Sequence, residues 1–230
     1  MLEELKQQVH QANLKLQAEG LVKETFGNVS GLDRAGGHVV IKPSGVPYDR
    51  LSPDDMVVVS LGTGQVVGGD LRPSSDTPAH LVLYRSFTQI GGVVHTHSLF
   101  ATAWAQARRE IPCYGTTHAD YFHGPVPVTR LMTPEEIQGD YEANTGKVIV
   151  ERFIGIDPMK APAALVANHG PFTWGRSPDE AVHNAAVLEH LAQLAIETLR
   201  VDPRSQPIQP ELLDKHFLRK HGPGAYYGQK

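Results

Sequence analysis

Two short apolar runs that each lead into a histidine constrain the fold of this chain more than any other feature. The first run, residues 91–94, is followed by His95 and His97, and the second, residues 164–167, is followed shortly by His169. Residues two apart in an extended strand face the same side, so His95 and His97 are predicted to share a face. A histidine pair alone also arises by chance, but here the second run repeats the pattern. We therefore predict two strands that end together at one metal site.

The three histidines define which ion would suit such a site. Neutral imidazoles favour a borderline divalent ion, and a catalytic zinc usually has three protein ligands and one open position. Zn²⁺ is therefore the favoured cofactor, with Mn²⁺ and Co²⁺ as alternatives that the sequence leaves open.

Length, cysteine content and charge exclude several classes of protein. No linker-like stretch divides the 230 residues, so residues 1–230 are expected to form one domain. The single cysteine, Cys113, excludes a disulfide framework. Neither a signal-like segment nor a bilayer-spanning apolar run is present, which predicts a cytoplasmic location and no membrane partner. A net charge of −4 without a block of like charges argues against a nucleic-acid partner.

Hydrophobic periodicity predicts helices at both ends of the chain and strands between them. Helices are expected over residues 2–18, 99–109, 177–200 and 211–220. In the middle, residues 56–60 and 65–67 are predicted to form a hairpin, and residues 124–128 an edge strand. This order predicts a mixed α/β fold in which helices cover both faces of a sheet.

Two turn-like stretches offer groups that can bind a small anion. Lys42 is followed by Pro43, Ser44 and Gly45, where backbone can approach a ligand closely. Ser74 and Ser75 precede a predicted helix start, and a helix N-terminus attracts anions. The ordinary explanations, a surface lysine beside a turn and residues that cap a helix, stay open.

Titratable side chains also occur in a predicted loop and in the C-terminal tail. The irregular stretch 111–123 contains Asp120, and the tail from residue 207 carries histidines and the pair Tyr226 and Tyr227. Polar loops between elements often contribute to active sites. A tail beyond the last core helix is either disordered or folded over a site, including that of a neighbouring subunit.

Together these residues point to a reaction class. A divalent ion with an open position polarises a carbonyl group and stabilises the charge of an adjoining enediolate. An anion pocket beside the ion indicates that the substrate carries a phosphate. Carboxylates or a tyrosine can accept and donate the proton that carbon–carbon cleavage requires. The residue chemistry indicates a metal-dependent enzyme acting on a phosphorylated carbonyl compound and goes no further.

Five motifs resemble those of a known family. The chain is similar over nearly its whole length to the class II aldolase and adducin-head family, and within it to the L-ribulose-5-phosphate 4-epimerases. The matching motifs are Gly-Asn-Val-Ser-Gly at 27–31, Ile-Lys-Pro-Ser-Gly at 41–45, Pro-Ser-Ser-Asp-Thr-Pro at 73–78, Val-His-Thr-His-Ser at 94–98 and Ala-Asn-His-Gly at 167–170.

The resemblance implies a fold, an assembly and a reaction. It implies a single three-layer αβα domain with a mainly antiparallel sheet. It also implies a homotetramer with its active site between adjacent subunits, over which the tail, residues 207–230, would close. The implied reaction interconverts L-ribulose 5-phosphate and D-xylulose 5-phosphate by retro-aldol cleavage and re-addition, and the pathway that supplies the pentulose, arabinose or ascorbate catabolism, stays open.

The same resemblance assigns roles to residues of this sequence. It makes Asp120 and Tyr227 the two proton-transfer groups, without deciding which serves which face of the aldehyde, and it places His216 at the same end of the site. The substrate and phosphate contacts would be Asn28, Lys42, Ser44, Gly45, Ser74 and Ser75. The metal ligands would be His95, His97 and His169, with Asp76 either a fourth ligand or a group that orients one of them.

Two other functions stay open at this point. Related aldolases carry a glutamate where this chain has Asp76, and the shorter aspartate favours recombination of the fragments over their release. A non-catalytic adducin-like interaction domain would share the fold and is expected to lack the metal ligands.

Overall fold

The computed structural model describes residues 2–227, so Met1 and residues 228–230 of the predicted tail lie outside it. The seven strands are β1 (Asn28–Asp33), β2 (His38–Ile41), β3 (Val57–Ser60), β4 (Val66–Gly68), β5 (Gly92–His95), β6 (Ala163–Leu165) and β7 (Pro171–Gly175). The eight helices are α1 (Leu2–Ala18), α2 (Thr77–Ser86), α3 (Leu99–Ala107), α4 (Thr116–Ala119), α5 (Pro134–Gln138), α6 (Tyr141–Arg152), α7 (Pro178–Val201) and α8 (Pro210–His221). None of the helices between residues 2 and 227 is long and apolar enough to cross a bilayer.

All seven strands form one sheet, and the strand order places β5, which ends at His95, near the centre. The order is β4-β3-β2-β1-β5-β7-β6, and every pair of neighbouring strands runs antiparallel. Because β5 lies between β1 and β7, its end at His95 is flanked by Asn28 and Phe172 in the strand register. Asn28, His95 and Phe172 are therefore neighbours at one end of the three central strands.

Helices cover both faces, as alternation along β5 shows. Val94 packs into a cluster with α1 and the first turns of α7, whereas Val93 packs into the larger core with α2, α3 and α6. Successive side chains of a strand point to opposite faces, so each valine serves a different layer. The predicted αβα fold with a mainly antiparallel sheet is confirmed.

Two local predictions were wrong. Residues 124–128 form no strand: Val126 and Val128 make only isolated bridges, to Ile111 and Leu165. The prolines at positions 125 and 127 have no N–H to donate, so a continuous ladder cannot form. The second apolar run also ends earlier than expected, because β6 stops at Leu165 and a turn carries the chain to His169.

Candidate metal and substrate site

The three predicted histidine ligands meet at one point. The ligand atoms of His95, His97 and His169 all lie within 4.8 Å of one another, and the Nε2 atoms of His95 and His97 are 3.1 Å apart. His95 is the last residue of β5 and is buried, His97 follows in the segment that leads into α3, and His169 lies in the turn before β7. The sheet therefore converges two chain segments on one group of imidazoles.

The turn before β7 has a shape that suits this convergence. Asn168 adopts a left-handed conformation with φ 62°, which asparagine tolerates better than most residues. A Cβ atom on Gly170 would lie 2.7 Å from the carbonyl oxygen of Thr96, so only glycine allows the turn to approach the His95–His97 segment. The Phe172 ring then stacks on the His95 ring at 4.2 Å between centroids.

Two of the three histidines, His95 and His169, are held in the neutral form that a metal requires. Burial lowers the pKa of His95 to about 3, against the opposing effect of the Asp76 carboxylate, and burial also lowers the pKa of His169. His95 Nδ1 lies 3.0 Å from the Pro171 carbonyl oxygen, so this nitrogen carries the hydrogen and Nε2 is left free for an ion. Three imidazoles with converging nitrogens fit a divalent metal of the zinc type.

Asp76 lies beside the histidines, and its surroundings differ from those of an ordinary helix cap. It occupies the position before α2, but its side chain makes no capping bond. Instead its Oδ2 accepts a hydrogen bond of 2.6 Å from the Asn28 amide. Burial disfavours the carboxylate, but the nearby histidines and this bond outweigh it and keep the pKa of Asp76 below its usual range. The residue is thus a buried anion beside the imidazoles, and its place as ligand or orienting group stays a prediction.

The residues predicted to bind phosphate line the same cavity as the histidines. The cavity has a volume of ≈ 310 Å³, within the range of small-ligand sites. Its lining includes Asn28, Lys42, Ser44, Gly45, Ser74, Ser75, Asp76, His95, His97 and His169. Lys42 is 1% exposed, and burial lowers its pKa to about 8. One cavity thus holds a candidate metal centre and a buried cation.

The two predicted proton-transfer groups lie together elsewhere, with His216. Asp120 Oδ1 is 3.0 Å from His216 Nδ1, and its carboxylate accepts hydrogen bonds of 2.9 and 3.0 Å from the Arg219 Nη2. The Arg219 guanidinium lies over the Tyr227 ring at 4.5 Å. Burial raises the pKa of Asp120, but the hydrogen bonds with Arg219 and His216 and the charges of Lys220 and Arg219 together outweigh it and hold the pKa below its usual range. We call Asp120, His216, Arg219 and Tyr227 the tail cluster.

The tail cluster lies beyond the opposite end of β5 from the histidines. Its neighbours Tyr121 and Lys220 border a cavity shared with Gln89 and Arg176. Gln89 precedes β5 and Arg176 follows β7, so both lie past the Gly92 end of the central strands. The His95 end is about 10 Å further along the sheet. Within one protomer the structure therefore brings together the residues predicted to bind metal and phosphate, and separately the residues of the tail cluster.

Two residues of functional interest were missed in the sequence. Arg219 lies one helical turn after His216 on α8, so helical spacing from His216 could have identified it. Tyr141, at the start of α6, places its hydroxyl 3.4 Å from His169 Nδ1, the ring nitrogen that a metal would not use if Nε2 is the ligand atom. Nothing in the local sequence marks Tyr141, because only the packing of α6 brings it to His169.

The class of protein follows from the fold and from this set of ligands. Residues 7–196 match the family described as Class II Aldolase and Adducin N-terminal domain, and the chain belongs to this family. The chain is 55% identical over 229 residues to the L-ribulose-5-phosphate 4-epimerase UlaF of Salmonella paratyphi C (strain RKS4594), and to that of Salmonella typhi. In both cases the match covers 100% of this chain and 100% of the relative.

Solved structures agree with the fold. An L-fuculose 1-phosphate aldolase is 26% identical with a TM-score of 0.78, and the match covers 93% of this chain and 94% of the aldolase. YgbL of Escherichia coli, described as a putative aldolase/epimerase/decarboxylase, is 25% identical with a TM-score of 0.73, over 93% of this chain and 98% of YgbL.

Proposed function

We propose that this chain is a metal-dependent epimerase that interconverts L-ribulose 5-phosphate and D-xylulose 5-phosphate. The observation that carries the proposal is that a group of three histidines and a buried lysine line one cavity. A metal centre at one end and a cation at the other suit a ketose that carries a phosphate. The full-length relatives named as this epimerase support the choice of substrate.

The metal end of the cavity would hold Zn²⁺, or Mn²⁺ or Co²⁺ in its place, on His95, His97 and His169, with Asp76 beside them. A bound divalent ion would supply Lewis-acid stabilisation of negative charge at the ketone end of the substrate. Asn28 fixes the direction of the Asp76 carboxylate through their hydrogen bond of 2.6 Å. Asp76 would thereby keep a set distance from the histidines while substrate enters and leaves.

The other end of the cavity would bind the phosphate. Lys42 provides a full positive charge, and Ser44, Ser74 and Ser75 provide hydroxyl donors along the same wall. The Asn28 amide also donates a hydrogen bond of 3.0 Å to Ser74 Oγ, so one side chain holds both Asp76 and Ser74 in place. Holding the phosphate would also keep the C4–C5 fragment in place after the carbon–carbon bond has broken.

Proton transfer would be carried out by Asp120 and Tyr227, one on each face of the aldehyde. One of them takes the proton of the C4 hydroxyl, the C3–C4 bond breaks, and its electron pair remains on the dihydroxyacetone enediolate. The glycolaldehyde phosphate turns its other face, the C3–C4 bond forms again, and the second group returns a proton to the C4 oxygen. The first group then releases its proton to solvent and the second takes one up, so no atom is gained or lost overall, and the configuration at C4 is inverted.

The distance between the two residue sets bears on how the site is assembled. Because the tail cluster lies past the other end of β5, Asp120 and Tyr227 would serve the histidine cavity of an adjacent subunit. A homotetramer with shared sites meets this requirement, and residues 207–230 would close over the neighbour's cavity. The site would then be incomplete in an isolated chain, and we expect the assembly to be cytoplasmic.

The direct test is a product assay on metal-reconstituted protein. We expect L-ribulose 5-phosphate to be converted to D-xylulose 5-phosphate without accumulation of free glycolaldehyde phosphate. If no xylulose forms and another phosphoketose is cleaved to stable products, the chain is a sugar-phosphate aldolase. If elemental analysis finds no bound metal and no sugar phosphate reacts, a non-catalytic adducin-like role replaces the proposal.

A further inference from the structure

The Lys42 ammonium group has unusual surroundings for a buried charge. Within residues 2–227 its one hydrogen-bond acceptor is the Pro43 carbonyl oxygen, 3.3 Å from Nζ, and no carboxylate forms an ion pair with it. Its other close partner is the ring of Tyr48, whose centroid lies 4.8 Å from Nζ. Aromatic faces attract cations, most strongly where water is excluded. The ring of Tyr48 therefore offsets part of the cost of burying this charge.

The hydroxyl group of Tyr48 contacts a different wall of the cavity. Its hydroxyl lies 2.9 Å from the carbonyl oxygens of both Phe26 and Gly27. Phe26 and Gly27 line the cavity, whereas Tyr48 is 2% exposed and lies behind the lining. A single phenolic hydrogen is thus shared between two carbonyl groups of the turn that precedes β1.

That turn is in close contact with the metal strand. A Cβ atom on Gly27 would lie 2.9 Å from the carbonyl oxygen of His95, and Gly27 has φ 75°, which favours glycine. The next residue, Asn28, pairs with His95 in the sheet and donates to Asp76. A displacement of this turn would therefore also shift Asn28 and disturb its contacts with His95 and Asp76.

We propose that Tyr48 is a positioning residue for the anion end of the cavity, holding Lys42 with its ring and the Phe26–Gly27 turn with its hydroxyl. The inference rests on the proposed function for its substrate, but it concerns anion binding, which can be measured without turnover. Its two parts are separable, because Tyr48→Phe removes only the hydroxyl and Tyr48→Leu also removes the aromatic face.

An ordinary core tyrosine would behave differently. Its substitution would lower stability without a specific link to Lys42. Tyr84 provides the matched control, because it is equally buried and its hydroxyl lies 2.8 Å from Ser30 Oγ, among residues that do not line the cavity. Tyr84→Phe should lower the stability comparably and leave anion affinity unchanged.

The test measures binding of inorganic sulfate to the full-length, metal-loaded protein by calorimetry. We expect Tyr48→Phe to raise the sulfate Kd about fivefold, because the two carbonyls of the Phe26–Gly27 turn lose their donor, and Tyr48→Leu to raise it about tenfold or more. In a Lys42→Met background, Tyr48→Phe and Tyr48→Leu should have equal affinities, because the ring no longer has a cation to act on.

Three results would overturn the inference. Wild-type sulfate affinity in Tyr48→Phe would exclude the role of the hydroxyl. Equal affinities of Tyr48→Phe and Tyr48→Leu in the Lys42 protein would exclude the role of the ring, and if the leucine variant does not fold, Tyr48→Met replaces it. An equal loss in Tyr84→Phe would assign the effect to stability alone. A failed epimerase assay with the expected sulfate results would overturn the proposed function and leave the role of Tyr48 standing.

Discussion

The histidine cavity and the tail cluster hold their charged side chains in opposite ways. In the cavity, Lys42 is buried and forms no ion pair with a carboxylate of residues 2–227, so negative charge is lacking beside its ammonium group. In the tail cluster, the Asp120 carboxylate is bound by Arg219 and His216 and approached by Lys220 at 3.5 Å. The first region is completed by a ligand, whereas the second is complete by itself.

This difference suits the histidine cavity to ligand binding and the tail cluster to proton transfer. A cavity with an unpaired cation and free imidazole nitrogens is suited to hold a phosphorylated ketose and an ion. A carboxylate held ionised by a guanidinium is suited to remain charged until a substrate hydroxyl is presented to it. Since the two regions lie at opposite ends of β5, we infer that catalysis needs two chains.

The largest expected effect is loss of the metal centre. His97→Asn should lower kcat/KM about 1000-fold and abolish stoichiometric metal binding, because one of three ligands is removed. Elemental analysis and the product assay measure both. His190→Asn, an exposed histidine on α7, is the control and should match the wild type. Full metal occupancy in His97→Asn would separate this residue from the centre.

Substitution in the tail cluster should affect turnover alone. Asp120→Asn should lower kcat about 100-fold or more while metal content and sulfate affinity stay at wild-type values, because a proton acceptor is lost but no metal or anion ligand is removed. Asp202→Asn, in the exposed segment after α7, serves as the control. A change in metal content in Asp120→Asn would contradict the separation of the two regions.

A smaller effect is expected behind the metal centre. Tyr141→Phe removes the hydroxyl beside His169 Nδ1, and loss of such an orienting partner typically weakens metal binding about tenfold or more. Competition with a chelator measures the metal Kd directly. Tyr114→Phe, in the loop after α3, should leave that Kd unchanged. Equal values for both variants would remove Tyr141 from the metal centre.

The smallest effect concerns pH at the anion end. Since burial lowers the pKa of Lys42 to about 8, the free ammonium is almost fully charged below about pH 7, and half of it has lost its proton at about pH 8. Sulfate affinity should therefore be nearly constant below about pH 7, decline through pH 8, and fall above it by up to about tenfold per pH unit. The same lowered pKa makes the unfolded chain bind more protons between about pH 8 and 10.5, so stability should rise over that interval.

Lys42→Met tests the assignment of that pH dependence. Its sulfate affinity should be weak at every pH and independent of pH between 7 and 9 within about twofold. A remaining decline above pH 8 would mean that another group of the cavity titrates there.

Local patterns predicted much of the fold and the cavity. Amphipathic periodicity located α1 and α7, and the paired strand-and-histidine runs located the group of three histidines, because strand alternation is a local property. The segment 124–128 failed because valine alternation cannot replace the missing N–H groups of its prolines. Tyr48 and Tyr141 could not be predicted, since their contacts depend on how distant segments pack, and the motifs alone do not reveal that the tail cluster lies at the far end of the sheet.

The central claim, that one active site takes its metal and phosphate residues from one chain and its proton-transfer residues from another, can be tested in mixed oligomers. His97→Asn and Asp120→Asn proteins are mixed in equal amounts, dissociated, reassembled with metal and verified to contain both chains. Random assembly should restore about a quarter of wild-type epimerase activity, because some sites receive both intact halves. Activity no higher than that of the two separate variants would contradict the claim.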